Sequence, residues 1–126
     1  MLKTTPNLRS LYRLVPSVQH YDWGGTEFIP ALLKRENPDG RPFAELWMGA
    51  HPNHPSLVRT DSDVSIGLDR LIGENPEILL GRETWRDFGG LPFLLKLLDV
   101  VRPLSMQVHP GQAQAHQGYN AEEGQG

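Results

Sequence analysis

The hydrophobic and polar positions change period along the chain, and each change marks an expected element. From Leu11, "LYRLVPSVQHYDWGG" mixes β-formers with a closing glycine pair, which predicts a short strand running into a turn at Gly24 and Gly25. "TEFIPALLKRENPDG" predicts a short helix with Pro30 near its start, ended by the turn chemistry of Asn37, Pro38, Asp39 and Gly40. In "RPFAELWMGAHPNHP", Glu45, Trp47, Gly49 and His51 alternate with Ala44, Leu46, Met48 and Ala50, the period of a strand that the prolines then end. Ser65 to Gly90 reads as the helical part. Within it, "LDRLIG" supplies a turn or two, and "ENPEILLG" offers Asn75 as N-cap, Pro76 at the first helical position and Gly81 as the stop. After the loop "DFGG", the run "LPFLLKLLDV" is almost continuously apolar and predicts a strand buried on both faces. Leucine favours helices locally, but Pro92 at the start and the strand-like run after Pro103 favour the strand. A tight connection at "VRPL" would then lay the two runs antiparallel.

The run after Pro103 carries the candidate chemistry. Ser105, Gln107 and His109 alternate with Leu104, Met106 and Val108, so an extended chain shows hydroxyl, amide and imidazole on one face and packs the apolar trio on the other. Ligands at i and i+2 on one strand face can reach a single cation, and imidazole is the commonest transition-metal ligand. Glutamine is neutral, so a divalent ion there needs a carboxylate from elsewhere. Ser105 extends the row and is placed to hydrogen-bond a phosphate or hydroxyl.

The other polar positions have plainer readings. Lys96, inside an apolar run, reads as a lysine that snorkels its head to water. His51 and His54 have a metal-compatible spacing but lie among prolines, where turn or packing roles suit them better. His20 and His116 lack evident partners and read as solvent-facing or capping. Glu122 and Glu123 are carboxylates that could complete a site, though in a Gly-rich segment. Trp23 and Trp47 read as core or pocket-wall aromatics.

Composition narrows the classes. The 126 residues suit one domain or part of one. Hydrophobic residues at 38%, charged residues at 21% and a net charge of −3 make an ordinary soluble balance, so nucleic acid is not the expected partner. There is no cysteine, so any metal must be held by histidine, carboxylate or amide, and a reducing, cytoplasmic setting fits. Arg9, Ser10 and Arg13 interrupt the apolar positions near the start, and no stretch approaches the roughly 20 apolar residues that cross a bilayer. No membrane association is expected. P-loop, GxGxxG, HExxH and GxSxG patterns are absent, which removes the usual nucleotide-binding and hydrolase schemes. The polar run over 111–126 reads as a flexible end.

Four segments together resemble a known family. "YDWGG" at 21–25, "AELWMGAHP" at 44–52, "ENPEILLG" at 74–81 and "LPFLLKLLDVVRPLSMQVHP" at 91–110 are similar, in order and approximate spacing, to the amino-terminal part of type I phosphomannose isomerase. The resemblance implies a mainly β, cupin-like (jelly-roll) fold with a helical insertion, of which residues 1–126 would be one portion and an incomplete domain. It implies a zinc-dependent aldose–ketose isomerase acting on mannose 6-phosphate and fructose 6-phosphate, as part of mannose and GDP-mannose metabolism. Gln107 and His109 then fall at zinc-ligand positions, and Ser105 where the family contacts the substrate phosphate. In such chemistry a proton moves between adjacent carbons through an enediol, and a cation stabilises the charge developing on the oxygens. The family's remaining ligands, a Glu in an H-x-P-E-type motif and a later His, do not occur in these residues. A fragment with a partial site is therefore expected. The competing class is a non-catalytic cupin-like module that binds sugar or metal with the same strand face. The sequence assigns neither the proton-transfer base nor the oligomeric state.

Overall fold

A computed structural model describes residues 11–59, 65–105 and 111–114. Among them are six strands and four short helices: β1 (Arg13–Val15), β2 (Ser17–Gln19), α1 (Phe28–Leu32), β3 (Glu45–Met48), β4 (Leu57–Arg59), β5 (Ser65–Gly67), α2 (Leu68–Glu74), α3 (Pro76–Leu80), α4 (Arg82–Phe88) and β6 (Leu95–Leu98). The strands form two antiparallel sheets of three, ordered β1-β4-β5 and β2-β3-β6. Two small sheets with helices inserted between β5 and β6 agree with the cupin-like expectation.

The first predicted strand is in fact two. Pro16 has no N–H to give a ladder, so the run breaks there and serves one sheet on each side. In the second sheet, Leu46 of β3 turns toward α1 and packs with Ile29 and Phe43, while Val18 and Leu97 close over them. The helix α1 is shorter than its pattern predicts and gives way at Lys34, whose φ is +52°, before the asparagine turn is reached. Asn37 acts further on: its Nδ2 donates to the carbonyls of Thr26 and Arg41, both at 2.9 Å, and its Oδ1 accepts from Arg41 N–H.

Three expectations in the middle of the chain need correction. Ser65–Gly67 is strand β5, not helix: Ile66 pairs opposite Val58 of β4, and this pairing of β-branched residues overrides the helical surroundings. Asn75 precedes α3 but makes no side-chain N-cap; its Nδ2 donates back to the Leu71 carbonyl and so serves the end of α2. Asp87 and Phe88 belong to α4, and the loop is the glycine pair after them, with Gly89 left-handed at φ +65°. Pro76 and Gly81 do bound α3 as expected.

The apolar run at 91–100 contains strand β6, but it is not buried on both faces. Leu97 faces the α1 cluster, whereas Leu95 and Leu98 remain 58% and 43% exposed. Residues 101 and 102 bend after β6, but the antiparallel neighbour expected beyond them lies outside the described residues; of the end expected to be flexible over 111–126 only 111–114 is described, and there 112–114 are helical.

The turn at Gly24 and Gly25 is what holds the second sheet's edge together. A side chain at Gly24 would come within 2.5 Å of the Ala44 Cα, and one at Gly25 would overlap the Asp99 carboxylate. At Gly24, where the neighbour is backbone, only a bare backbone fits so close. The turn is bonded on both sides: Phe43 N–H donates to the Gly25 carbonyl at 2.7 Å, and Gly25 N–H donates to the Asp99 carbonyl at 3.2 Å. Val101 N–H donates to the Trp23 carbonyl at 3.0 Å. Tyr21, Asp22 and Trp23 are thereby pinned beside the segment that leaves β6.

Candidate functional site

The strand period sorts the second sheet into two faces. Opposite the α1 cluster, register places Gln19 beside Glu45, Glu45 beside Leu98, and Trp47 beside Lys96. Glu45 and Trp47 are buried. A buried carboxylate is costly unless it is bonded and balanced, and this one is both. Trp47 Nε1 donates to Glu45 Oε2, and Lys96 Nζ stands 3.4 Å from the same oxygen while also lying 4.4 Å over the indole ring. Lys96 is therefore not a lysine that merely snorkels. Its side chain keeps 38% exposure, but its head balances a carboxylate whose side chain is only 10% exposed.

The two prolyl-loop histidines back this cluster. His51 and His54 set their rings edge-on to Trp47 at 5.0 and 5.8 Å between centroids, His54 N–H donates to the His51 carbonyl, and Asn53 N–H donates to His51 Nδ1. Packing and turn roles account for both. Below the loop, Ser56 is fully buried, its hydroxyl donating to the Trp47 carbonyl and accepting from Gly49 N–H. His20 is half-buried rather than solvent-facing: Nδ1 donates to the Pro42 carbonyl at 2.6 Å, and the ring packs edge-on against Phe43.

In front of the Glu45–Lys96 pair opens a cavity of about 550 Å³, within the usual range for small-molecule sites, about 300–1,000 Å³. Tyr21 and Trp23 form one part of its lining, their rings stacked 5.6 Å apart. Arg102, Pro103, Leu104 and Ser105 form another, and Asp22 and Leu98 complete it. Trp23 is the pocket-wall aromatic that its sequence context predicted, and Ser105 lies exposed in the cleft lining. Gln107 and His109 lie outside the described residues, as do His116, Glu122 and Glu123. Sequence reasoning missed Glu45, Asp22, Tyr21 and Arg102. The alternation of β3 did place Glu45 on the Trp47 face, but only the β3–β6 register brings Lys96 to it.

Zinc can be tested against these residues. Among the described residues no three histidine, aspartate or glutamate side chains come together as a metal site. No zinc centre is built on the described residues alone. Nor, among them, is any helix long and apolar enough to cross a membrane.

The sequence model of the phosphomannose isomerase type I catalytic domain matches residues 11–125. The chain belongs to this family. It is 40% identical over 116 residues to the mannose-6-phosphate isomerase of Escherichia coli (strain K12), covering 92% of this chain and 30% of that protein. It is 42% identical over 122 residues to mannose-6-phosphate isomerase 1 of Arabidopsis thaliana, covering 90% of this chain and 28% of that one. Among solved structures, a zinc-bound mannose 6-phosphate isomerase superposes with a TM-score of 0.80 at 39% identity, over 90% of this chain and 29% of the other. A single-residue variant of phosphomannose isomerase from Salmonella typhimurium superposes with a TM-score of 0.83 at 38% identity, over 93% and 30%. The chain thus spans about 30% of the length of the relatives it matches.

Proposed function

We propose that residues 1–126 supply the amino-terminal part of the catalytic domain of a zinc-dependent isomerase that interconverts mannose 6-phosphate and fructose 6-phosphate. The observation that carries this reading is the cleft. In a chain of this family, it joins a stacked aromatic pair, a buried ion pair and a segment bearing a cation and a hydroxyl, in a volume suited to a sugar phosphate. The Tyr21–Trp23 stack offers an apolar surface to the C–H face of a sugar. Ser105 hydrogen-bonds the phosphate. Lys96, oriented by Glu45 and the Trp47 ring, donates to a sugar oxygen as charge develops there.

Gln107 and His109 are this chain's contribution to the zinc site. Support comes from their i and i+2 spacing and from the zinc-bound relative. When bound, the metal would polarise the carbonyl and hydroxyl oxygens of the reacting carbons.

The test is formation of fructose 6-phosphate from mannose 6-phosphate by the natural polypeptide that carries these residues, with zinc content measured beside it. Turnover and zinc should both be lost in His109→Ala. Zinc retained in that variant would remove His109 from the ligand set. Zinc and sugar binding without turnover in the unaltered protein would leave the non-catalytic cupin-like module as the correct reading.

A further inference from the structure

We propose that Arg102 is a specificity residue of this cleft, the group that grips the phosphate of the substrate and so distinguishes a sugar phosphate from the free sugar. The inference rests on the sugar-phosphate reading given above and deepens it by naming the residue that selects for the phosphate.

Two cations line the cleft, and they are not equivalent. Lys96 has its charge taken up by Glu45 at 3.4 Å and its head held over Trp47. Arg102 is exposed, and among the described residues no carboxylate lies within ion-pair distance of it and no hydrogen bond engages its guanidinium. Its charge is therefore available to a ligand. A guanidinium presents a planar fork of donors that matches two oxygens of one phosphate, and it stays charged across the whole working pH range.

The backbone around it is restricted. Val101 N–H is bonded to the Trp23 carbonyl at 3.0 Å, which fixes the root of the segment beside the aromatic pair. Pro103 then fixes its own φ and keeps Arg102 out of the helical region. Three residues after Arg102, Ser105 adds a hydroxyl to the same cleft lining. One short, constrained segment thus supplies both a forked cation and a neutral donor. The cleft's two carboxylates come from other segments. Glu45 is already balanced, and Asp22 neighbours Trp23, where it can accept from sugar hydroxyls while standing apart in sequence from the phosphate-binding segment. An exposed arginine set among loop residues otherwise has a merely solvating role, and the two roles predict different binding.

The experiment is calorimetric titration of the natural polypeptide that carries these residues with mannose 6-phosphate, mannose and inorganic phosphate, for the unaltered protein, Arg102→Ala and Arg102→Lys. Among the described residues no side-chain hydrogen bond or ion pair engages Arg102, so near-ultraviolet circular dichroism should be the same for all three. The unaltered chain should bind mannose 6-phosphate about tenfold or more tighter than mannose, the scale expected of a charge-assisted fork. Arg102→Ala should lose that preference and keep its mannose affinity, and Arg102→Lys should recover only part of it. If Arg102→Ala keeps the full preference, the assignment of Arg102 is overturned while the sugar-phosphate reading stands. If the unaltered chain shows no preference for the phosphate ester, both fall.

Discussion

Removing the cation from the buried pair tests whether the Glu45–Lys96–Trp47 cluster is organised as described. In Lys96→Met the aliphatic stem is largely kept and the charge is lost. Glu45, with its side chain 10% exposed, would then have only Trp47 Nε1–H as a partner. Two unit charges 3.4 Å apart attract by about 5 kcal/mol at an effective dielectric constant of about 20. Because the Lys96 side chain is 38% exposed, water screens much of this, and about 1–3 kcal/mol is the expected loss. The cation–π contact adds on the order of 0.5–1 kcal/mol at most. The assay is urea unfolding of the unaltered chain, Lys96→Met, Glu45→Gln and the double variant. A neutral amide at 45 needs no cation, so the double variant should be less destabilised than the sum of the single changes by at least about 1 kcal/mol. Costs that add within about 0.5 kcal/mol, or a Lys96→Met cost below that, would refute the idea that Lys96 balances Glu45.

Two further outcomes test the frame that holds the cleft. Ser56→Ala should cost about 2 kcal/mol, because both the Trp47 carbonyl and the Gly49 N–H lose their partner at a fully buried position; an unfolding midpoint unchanged in urea would show that these groups find other partners. Gly25→Ala should destabilise by more than about 1 kcal/mol, because the new methyl group overlaps the Asp99 carboxylate, and Asp99→Ala in the same chain should return part of the loss. A Gly25→Ala chain as stable as the original would mean that the Asp99 carboxylate swings aside to admit the methyl group.

What the sequence made legible follows from the range over which each signal acts. Pro76, Gly81 and the Pro30 helix were readable because they act on the backbone within a turn of themselves. The β3 strand was readable because its period of two is written in eight consecutive residues. The split at Pro16, the pairing of Ile66 with Val58 and the exposure of Leu95 were not, because each depends on which distant strand lies alongside. A run of leucines records that a segment is apolar, and cannot record which face its neighbours cover. Asn75 shows the same limit on a smaller scale: its type suits a helix start, but its amide is drawn to the end of the preceding helix instead.

The cleft is the product of that long-range pairing. Its parts come from residues 21–23, from Glu45 and from 96–105, and no local pattern joins them. What joins them is backbone: Ala44 N–H to the Gln19 carbonyl, Asp99 N–H to the Ala44 carbonyl, Gly25 N–H to the Asp99 carbonyl and Val101 N–H to the Trp23 carbonyl. All of these bonds run through or beside Gly24 and Gly25, whose lack of side chains permits the approach. The glycine pair thus governs the site without touching a ligand, and damage there should reach the cleft as well as the fold. Binding of mannose 6-phosphate should accordingly weaken in Gly25→Ala even at temperatures where that variant remains folded, whereas Ser56→Ala, which loosens the loop behind Trp47, should leave the Arg102–Ser105 segment and its preference for the phosphate ester intact.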